Sequence, residues 1–179
     1  YCLYRTSGYD IVKGEFLPPY GGGVVPDMVF EWEMSIFATN KVGRALDYDT
    51  CCTVSVTNVV DGLCKGNPDG DMTAQEGSYF LSAYIAPIST YHPVWSFSEK
   101  ARGQHAEMTD DQHYLYYFRI RTQTNNLGQV TNALYGKIYG HLNGTFTYYL
   151  NPTPKERNVE FDPKRNILGA PDGIRSFMP

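Results

Sequence analysis

The sequence predicts an all-β protein, and three observations predict it. Short runs alternate between apolar and polar side chains, as half-buried strands do. Turn-forming residues separate these runs, and aromatic residues are frequent, with 15 tyrosines in 179 residues. We therefore expect a single domain over residues 1–179, a two-sheet antiparallel β-sandwich of roughly seven to nine strands that is immunoglobulin-like in broad architecture. An extended C-terminal tail is expected from about residue 151, where prolines become frequent.

The clearest pattern is a strand–turn–strand–turn–strand meander over residues 113–150. Its two turns contain Gly128 and Gly144, each shortly after asparagine, which suits hairpin bends. In the middle strand, Gly136 and Gly140 are poor strand formers. They predict a bulge or close packing by an aromatic ring.

The middle strand of the meander also offers a binding surface. Tyr135, Lys137 and Tyr139 alternate with Leu134 and Ile138. The charged lysine predicts that its face is the solvent side of the sheet. Exposed tyrosines there would stack on sugar rings or anchor a protein partner, since aromatic side chains often dominate affinity. Packing of the same tyrosines under the tail or under residues 99–112 is the alternative.

The rest of the chain is described by its apolar runs. Residues 27–38 alternate clearly, with Met28, Phe30 and Trp32 on one face. Further strands are expected at 51–60, 78–87 and 92–98, and an edge strand near 9–12. Between them the sequence predicts a Pro/Gly loop at 18–23, a turn at 40–49 and a crossing loop with a short helix at 99–112.

Two carboxylates, Glu31 and Glu33, share the polar face of the strand at 27–38. Glycoside hydrolases use two carboxyl groups about 5 to 10 Å apart. A glycan-acting hydrolase is therefore one hypothesis. A solvated strand face is the preferred interpretation of the pair, because no neighbour in sequence would raise the pKa of either group.

Four cysteines, Cys2, Cys51, Cys52 and Cys64, do not form a zinc motif. Cys51 and Cys52 are neighbours in a strand, so they point to opposite faces and are poor partners for each other. An even number of cysteines in an exported protein favours disulfides. We expect Cys51 and Cys52 to bond to different partners, chosen from Cys2 and Cys64.

Two polar stretches are candidate metal sites. The loop at 67–71 begins like a calcium loop, but Met72 and Ser78 occupy positions where the EF-hand pattern requires glycine and glutamate. A second group, His105, His113, Asp110 and Asp111, matches no familiar spacing of transition-metal ligands. Neither a metal nor a cofactor is expected.

Composition excludes some partners. The net charge is −4, and the 15 Lys and Arg residues are scattered rather than clustered, so nucleic acid is not an expected partner. No apolar run approaches the roughly 20 residues that cross a bilayer. Any membrane association is therefore expected through a lipid anchor only.

Several segments resemble one group of proteins. They are Arg5–Asp10, Tyr148–Thr153 and Arg157–Asn166. Together with the early cysteine and the length, they are similar to a domain of unknown function in uncharacterised lipoproteins of gut Bacteroidetes. The resemblance implies export to the cell envelope, as an outer-membrane lipoprotein or an extracellular or periplasmic domain, with a lipid anchor upstream or at Cys2. It carries over no functional residues.

Two functions follow as hypotheses. The first is a non-catalytic envelope domain that binds a glycan or another envelope protein, through Tyr135, Lys137 and Tyr139. The second is the secreted hydrolase that would use Glu31 and Glu33. No nucleophile elbow, phosphate loop or zinc motif favours an enzyme.

Overall fold

The computed structural model describes residues 2–41, 43, 45–66, 85–103, 105–108, 115–139, 142 and 146–160. Ten strands are present in this part of the chain. They are β1 (Cys2–Asp10), β2 (Glu15–Phe16), β3 (Met28–Thr39), β4 (Ala45–Val56), β5 (Gly62–Lys65), β6 (Val94–Arg102), β7 (His105–Met108), β8 (Leu115–Thr124), β9 (Val130–Tyr139) and β10 (Thr147–Asn151).

The strands form two antiparallel sheets. The first sheet has the order β2-β1-β3-β4-β6-β7, and the second has the order β10-β9-β8-β5. The meander predicted over residues 113–150 supplies β8, β9 and β10 of the second sheet. The prediction of an all-β, two-sheet antiparallel sandwich is confirmed.

The main core lies between the inner faces of the sheets. The first sheet contributes Met28, Phe30 and Val54, all at most 1% exposed. Phe118 and Ile138 face them from the second sheet. The alternation seen in the sequence therefore places the expected apolar faces of β3 and β9 inward.

Two regions predicted as turn and loop are strands. β4 begins at residue 45, inside the expected turn, and β6 (94–102) pairs with β7 (105–108) where a loop was expected from residue 99. Aspartate is a poor strand former, yet Asp49 bonds Arg102 Nη1 at 2.8 Å, and the Gly103 N–H donates to Asp47 Oδ1 at 2.8 Å. These tertiary contacts outweigh the local preference.

The outer face of the second sheet is covered, which corrects the predicted solvent face. Tyr135 is 5% exposed and Lys137 is fully buried, whereas Tyr139 is 42% exposed. Residues 85–91 and 152–160 lie over this face, joined by a bridge between Ile85 and Asn158. Residues 152–160 therefore cover part of this face, and the alternative of packing under the tail is correct for Tyr135.

The predicted disulfides are wrong for three of the four cysteines. Cys51, Cys52 and Cys64 are free thiols. Cys52 lies in the core between the sheets, Cys51 points to the opposite face of β4, and Cys64 belongs to the cluster on the outer face of the second sheet. Packed sheets stand about 10 Å apart, so these sulfurs lie in three separate layers. The side chain of Cys2 is outside the described residues.

The free thiols give a testable prediction. We expect at least three titratable thiols when the protein is denatured without reductant. In the native protein, half-buried Cys51 should react first, because burial raises the pKa of Cys52 to about 12 and a thiol reacts as its thiolate. Titration with a chromogenic disulfide reagent measures the number of thiols after denaturation and the order in which they react in the native protein. Fewer than three thiols after denaturation would contradict the layered placement.

Other sequence predictions fall on residues 67–84 and 109–114, which lie outside the described part. They are the strand at 78–87 up to residue 84, the calcium-like loop, and the metal candidates Asp110, Asp111 and His113. None of the described residues forms a helix long and apolar enough to cross a membrane.

Candidate functional site

A loop rich in glycine and proline folds back over β2 at one edge of the first sheet. The Gly23 N–H donates to the Phe16 carbonyl at 2.9 Å, which closes the loop. A Cβ on Gly22 would lie 2.7 Å from Glu15 Oε2, and one on Gly23 would lie 2.7 Å from the Glu15 carbonyl. A Cβ on Gly21 would overlap the Phe16 carbonyl oxygen. Gly21 and Gly23 allow this close approach, because a side chain at either position would meet backbone atoms. At Gly22 the neighbouring atom is the flexible end of the Glu15 side chain.

The folded loop forms one wall of a groove of about 550 Å³. Four aromatic side chains line it, those of Tyr9, Phe16, Tyr20 and Phe146. The Tyr9 ring meets Phe16 edge to face at 4.9 Å and Phe146 at 5.6 Å between centroids. These favourable edge contacts hold the rings in fixed orientations. The groove therefore presents a preformed aromatic surface.

Two polar features mark the rim of this aromatic groove. Tyr20 is 53% exposed, and the Arg5 guanidinium lies 5.1 Å above its ring centroid. Glu15 accepts the Gly22 N–H at 2.8 Å through Oε2. An exposed aromatic ring beside a carboxylate acceptor suits a ligand that has both apolar faces and hydrogen-bond donors.

A buried carboxylate lies directly behind the groove. Asp10, at the end of β1, is 2% exposed. Burial alone would raise the pKa of Asp10. Backbone N–H donors from Val25, Val24 and Lys13, together with the positive charge of Arg121, outweigh burial and lower that pKa below its ordinary value. Asp10 is therefore an ionised hydrogen-bond acceptor at neutral pH.

Arg121 reaches Asp10 from the second sheet. Its Nη2 lies 2.9 Å from Asp10 Oδ1, and its Nε lies 2.8 Å from Asp27 Oδ1. Asp61 accepts the backbone N–H groups of Arg121 and Thr122 at 2.8 and 2.9 Å. Burial raises the pKa of Asp61, which these N–H donors partly offset. The result is a polar network between the sheets at this end of the sandwich.

The residues proposed from sequence do not line this groove. Glu31 and Glu33 are exposed on the outer face of β3, where the Tyr4 hydroxyl lies 3.4 Å from Glu31 Oε1. Tyr135 and Lys137 lie under the tail, on the second sheet. Among the described residues, no group of three or more His, Cys, Asp or Glu could hold a metal ion.

Part of the groove had a sequence signal. The run Pro18-Pro19-Tyr20-Gly21-Gly22-Gly23 predicts a loop. An aromatic residue flanked by prolines and glycines is an exposed aromatic on a constrained turn, which is typical of binding loops. Phe146 carried no such signal, because it is far from Tyr20 in the chain and reaches the groove only through its place beside β10.

The comparisons with known proteins add no relative: no protein-family model, no curated protein and no solved structure matches the chain.

Proposed function

We propose that the protein is a non-catalytic binding domain of the bacterial cell envelope and that the aromatic groove binds a glycan. The exposed Tyr20 ring, held at the rim by a loop that needs glycine at positions 21 and 23, is the observation that carries this proposal. The envelope location and the lipid anchor rest on the sequence resemblance to gut Bacteroidetes lipoproteins.

The groove has the chemistry that sugars require. A pyranose ring has apolar C–H faces that stack on aromatic rings, and hydroxyl groups at its edge that donate hydrogen bonds. Tyr20 and Phe146 offer the stacking surfaces, while Glu15 offers a carboxylate acceptor. A volume of about 550 Å³ falls within the range of small-ligand sites.

The acidic groups that line the groove support binding rather than catalysis. Glycoside hydrolases generally need a pair of carboxyl groups across the scissile bond. The residues that line the groove include one carboxylate, Glu15, and its Oε2 is engaged with the Gly22 N–H. Glu31 and Glu33 lie on an exposed sheet face instead, so no specific observation favours the hydrolase.

The test replaces Tyr20 with alanine. We expect binding on a glycan array to weaken by about tenfold or more, since a stacked aromatic contributes on the order of 1 to 3 kcal/mol. The melting temperature should change little, because the ring is half exposed. A Tyr20→Trp variant should retain binding through its larger stacking surface.

Two other exposed tyrosines provide matched controls. Tyr4 is 67% exposed on β1, and Tyr139 is 42% exposed on β9; neither lines the groove. Their alanine variants should bind like the wild type. If Tyr139→Ala weakens binding and Tyr20→Ala does not, the ligand binds at the end of β9, and the groove is not the site.

A further inference from the structure

We propose that Asp10 is the positioning residue of the aromatic groove and that Arg121, from the opposite sheet, holds Asp10 in place. This inference rests on the proposed function, because it identifies what gives the glycan site its shape. Neither residue lines the groove itself.

Asp10 ties together the two turns that frame the groove. Its Oδ1 accepts the N–H groups of Val12 and Lys13, each at 3.1 Å. Its Oδ2 accepts those of Val24 and Val25, at 3.0 and 3.1 Å. The first pair lies in the turn before β2, and the second lies just after the Tyr20 loop. One carboxylate thus fixes both ends of the segment that carries Glu15, Phe16 and Tyr20.

Arg121 completes the arrangement. Residue 121 has a φ of +53° and lies at an irregularity in the pairing of β8 with β9. Two backbone N–H groups at this irregularity, those of Arg121 and Thr122, bind Asp61. The guanidinium bridges Asp10 and Asp27, and Asp27 Oδ2 also accepts the Ile11 N–H at 3.0 Å. The groove therefore takes its final shape only when the two sheets are packed together.

The chemistry of the carboxylate predicts that substitutions at Asp10 and Arg121 disturb these hydrogen bonds to different degrees. An amide has one acceptor oxygen, and its nitrogen is a donor. In Asp10→Asn, one of the two pairs of N–H groups would therefore face an NH₂ group and lose its acceptor. Arg121→Met removes the cation but leaves the carboxylate, whereas Arg121→Lys keeps a cation without the planar fork that spans two carboxylates.

The experiment measures amide hydrogen exchange by NMR at Val12, Lys13, Val24 and Val25. In Asp10→Asn we expect exchange at one pair to accelerate by about tenfold or more. Val54→Ala, a cavity in the core between the sheets, serves as the control and is compared under conditions of equal global stability. Arg121→Met should accelerate exchange at these amides, and Arg121→Lys should restore part of the protection.

Affinity is measured on the same variants with a panel of hexasaccharides: β-1,4-glucan, β-1,4-xylan, α-1,6-mannan and chitohexaose. Asp10→Asn should bind the hexasaccharide selected by the wild type about tenfold more weakly than Val54→Ala does. Exchange that rises no more in Asp10→Asn than in Val54→Ala would overturn the inference, as would equal affinities of these two variants. A wild type that binds no member of the panel or the array would overturn the proposed function alone, because the exchange measurement uses no ligand.

Discussion

Gly136→Ala should destabilise the protein by about 3 kcal/mol or more, although it adds a single methyl group. Gly136 lies in the middle of β9 and pairs with Phe118 on one side and Leu150 on the other. A Cβ at this position would overlap the ring of Phe118 and the Tyr149 carbonyl. The carbonyl belongs to the backbone of β10, and Phe118 is fully buried, so neither can move aside without disturbing the sheet.

Chemical denaturation measures this change. Its control is Gly128→Ala in the β8–β9 hairpin, where a Cβ would meet open space but the backbone has a φ of +74°. In that variant the free energy of unfolding should fall only by the cost of placing alanine in a left-handed backbone conformation, about 1 to 2 kcal/mol. If Gly136→Ala loses no more stability than Gly128→Ala, the sheet relaxes around the added methyl group.

Lys137→Met should remove a pH dependence of the free energy of unfolding of about 2 kcal/mol between pH 7 and 9.5. Lys137 is fully buried on the outer face of the second sheet. Its cross-strand neighbours are Tyr117 and Tyr149, and Glu160 in the tail is the nearby opposite charge. Burial lowers the pKa of Lys137 to about 8, and the attraction of Glu160 offsets burial only in part. The folded protein therefore holds this ammonium less favourably than water does.

The sign of the pH dependence follows from the two protonation states. The folded state releases the Lys137 proton near pH 8, while the unfolded chain keeps it up to about 10.5. Between these values the unfolded state binds more protons, so the stability of the wild type rises with pH. We expect the stability of the wild type relative to Lys137→Met to rise by about 2 kcal/mol between pH 7 and 9.5.

Denaturation curves at several pH values test this expectation. Lys100→Met, on the exposed side of β6, should show no comparable change in its stability relative to the wild type. A constant difference between the wild type and Lys137→Met across this pH range would show that Lys137 keeps its proton in the folded state.

Local patterns predicted the elements that depend on local chemistry. The alternation around Phe30 identified β3 and its inward face, because period two is a property of the strand itself. Gly136 predicts either a bulge or a close aromatic contact, and the Phe118 ring makes the contact. The turn residues of the β8–β9 hairpin indicated its position, because turn preference is also a local property of the chain.

The predicted solvent face failed at Lys137 for a physical reason. A charged residue usually marks the exposed side of an antiparallel strand, but here the tail covers that side. The continuous apolar run of Leu115–Phe118 in the neighbouring strand was the available signal, since unbroken runs are typical of strands buried on both faces.

The sequence by itself determined the β-sandwich class, the strands with clear alternation and the Pro/Gly loop at 18–23. Only the tertiary structure decided which faces are covered, that Cys51, Cys52 and Cys64 lie in separate layers, and that Phe146 joins Tyr20 in one groove. The division has one cause. Strand periodicity and turn preference act between neighbours in the chain, whereas the contacts of Arg121 with Asp10, 111 positions away, form only when the two sheets pack.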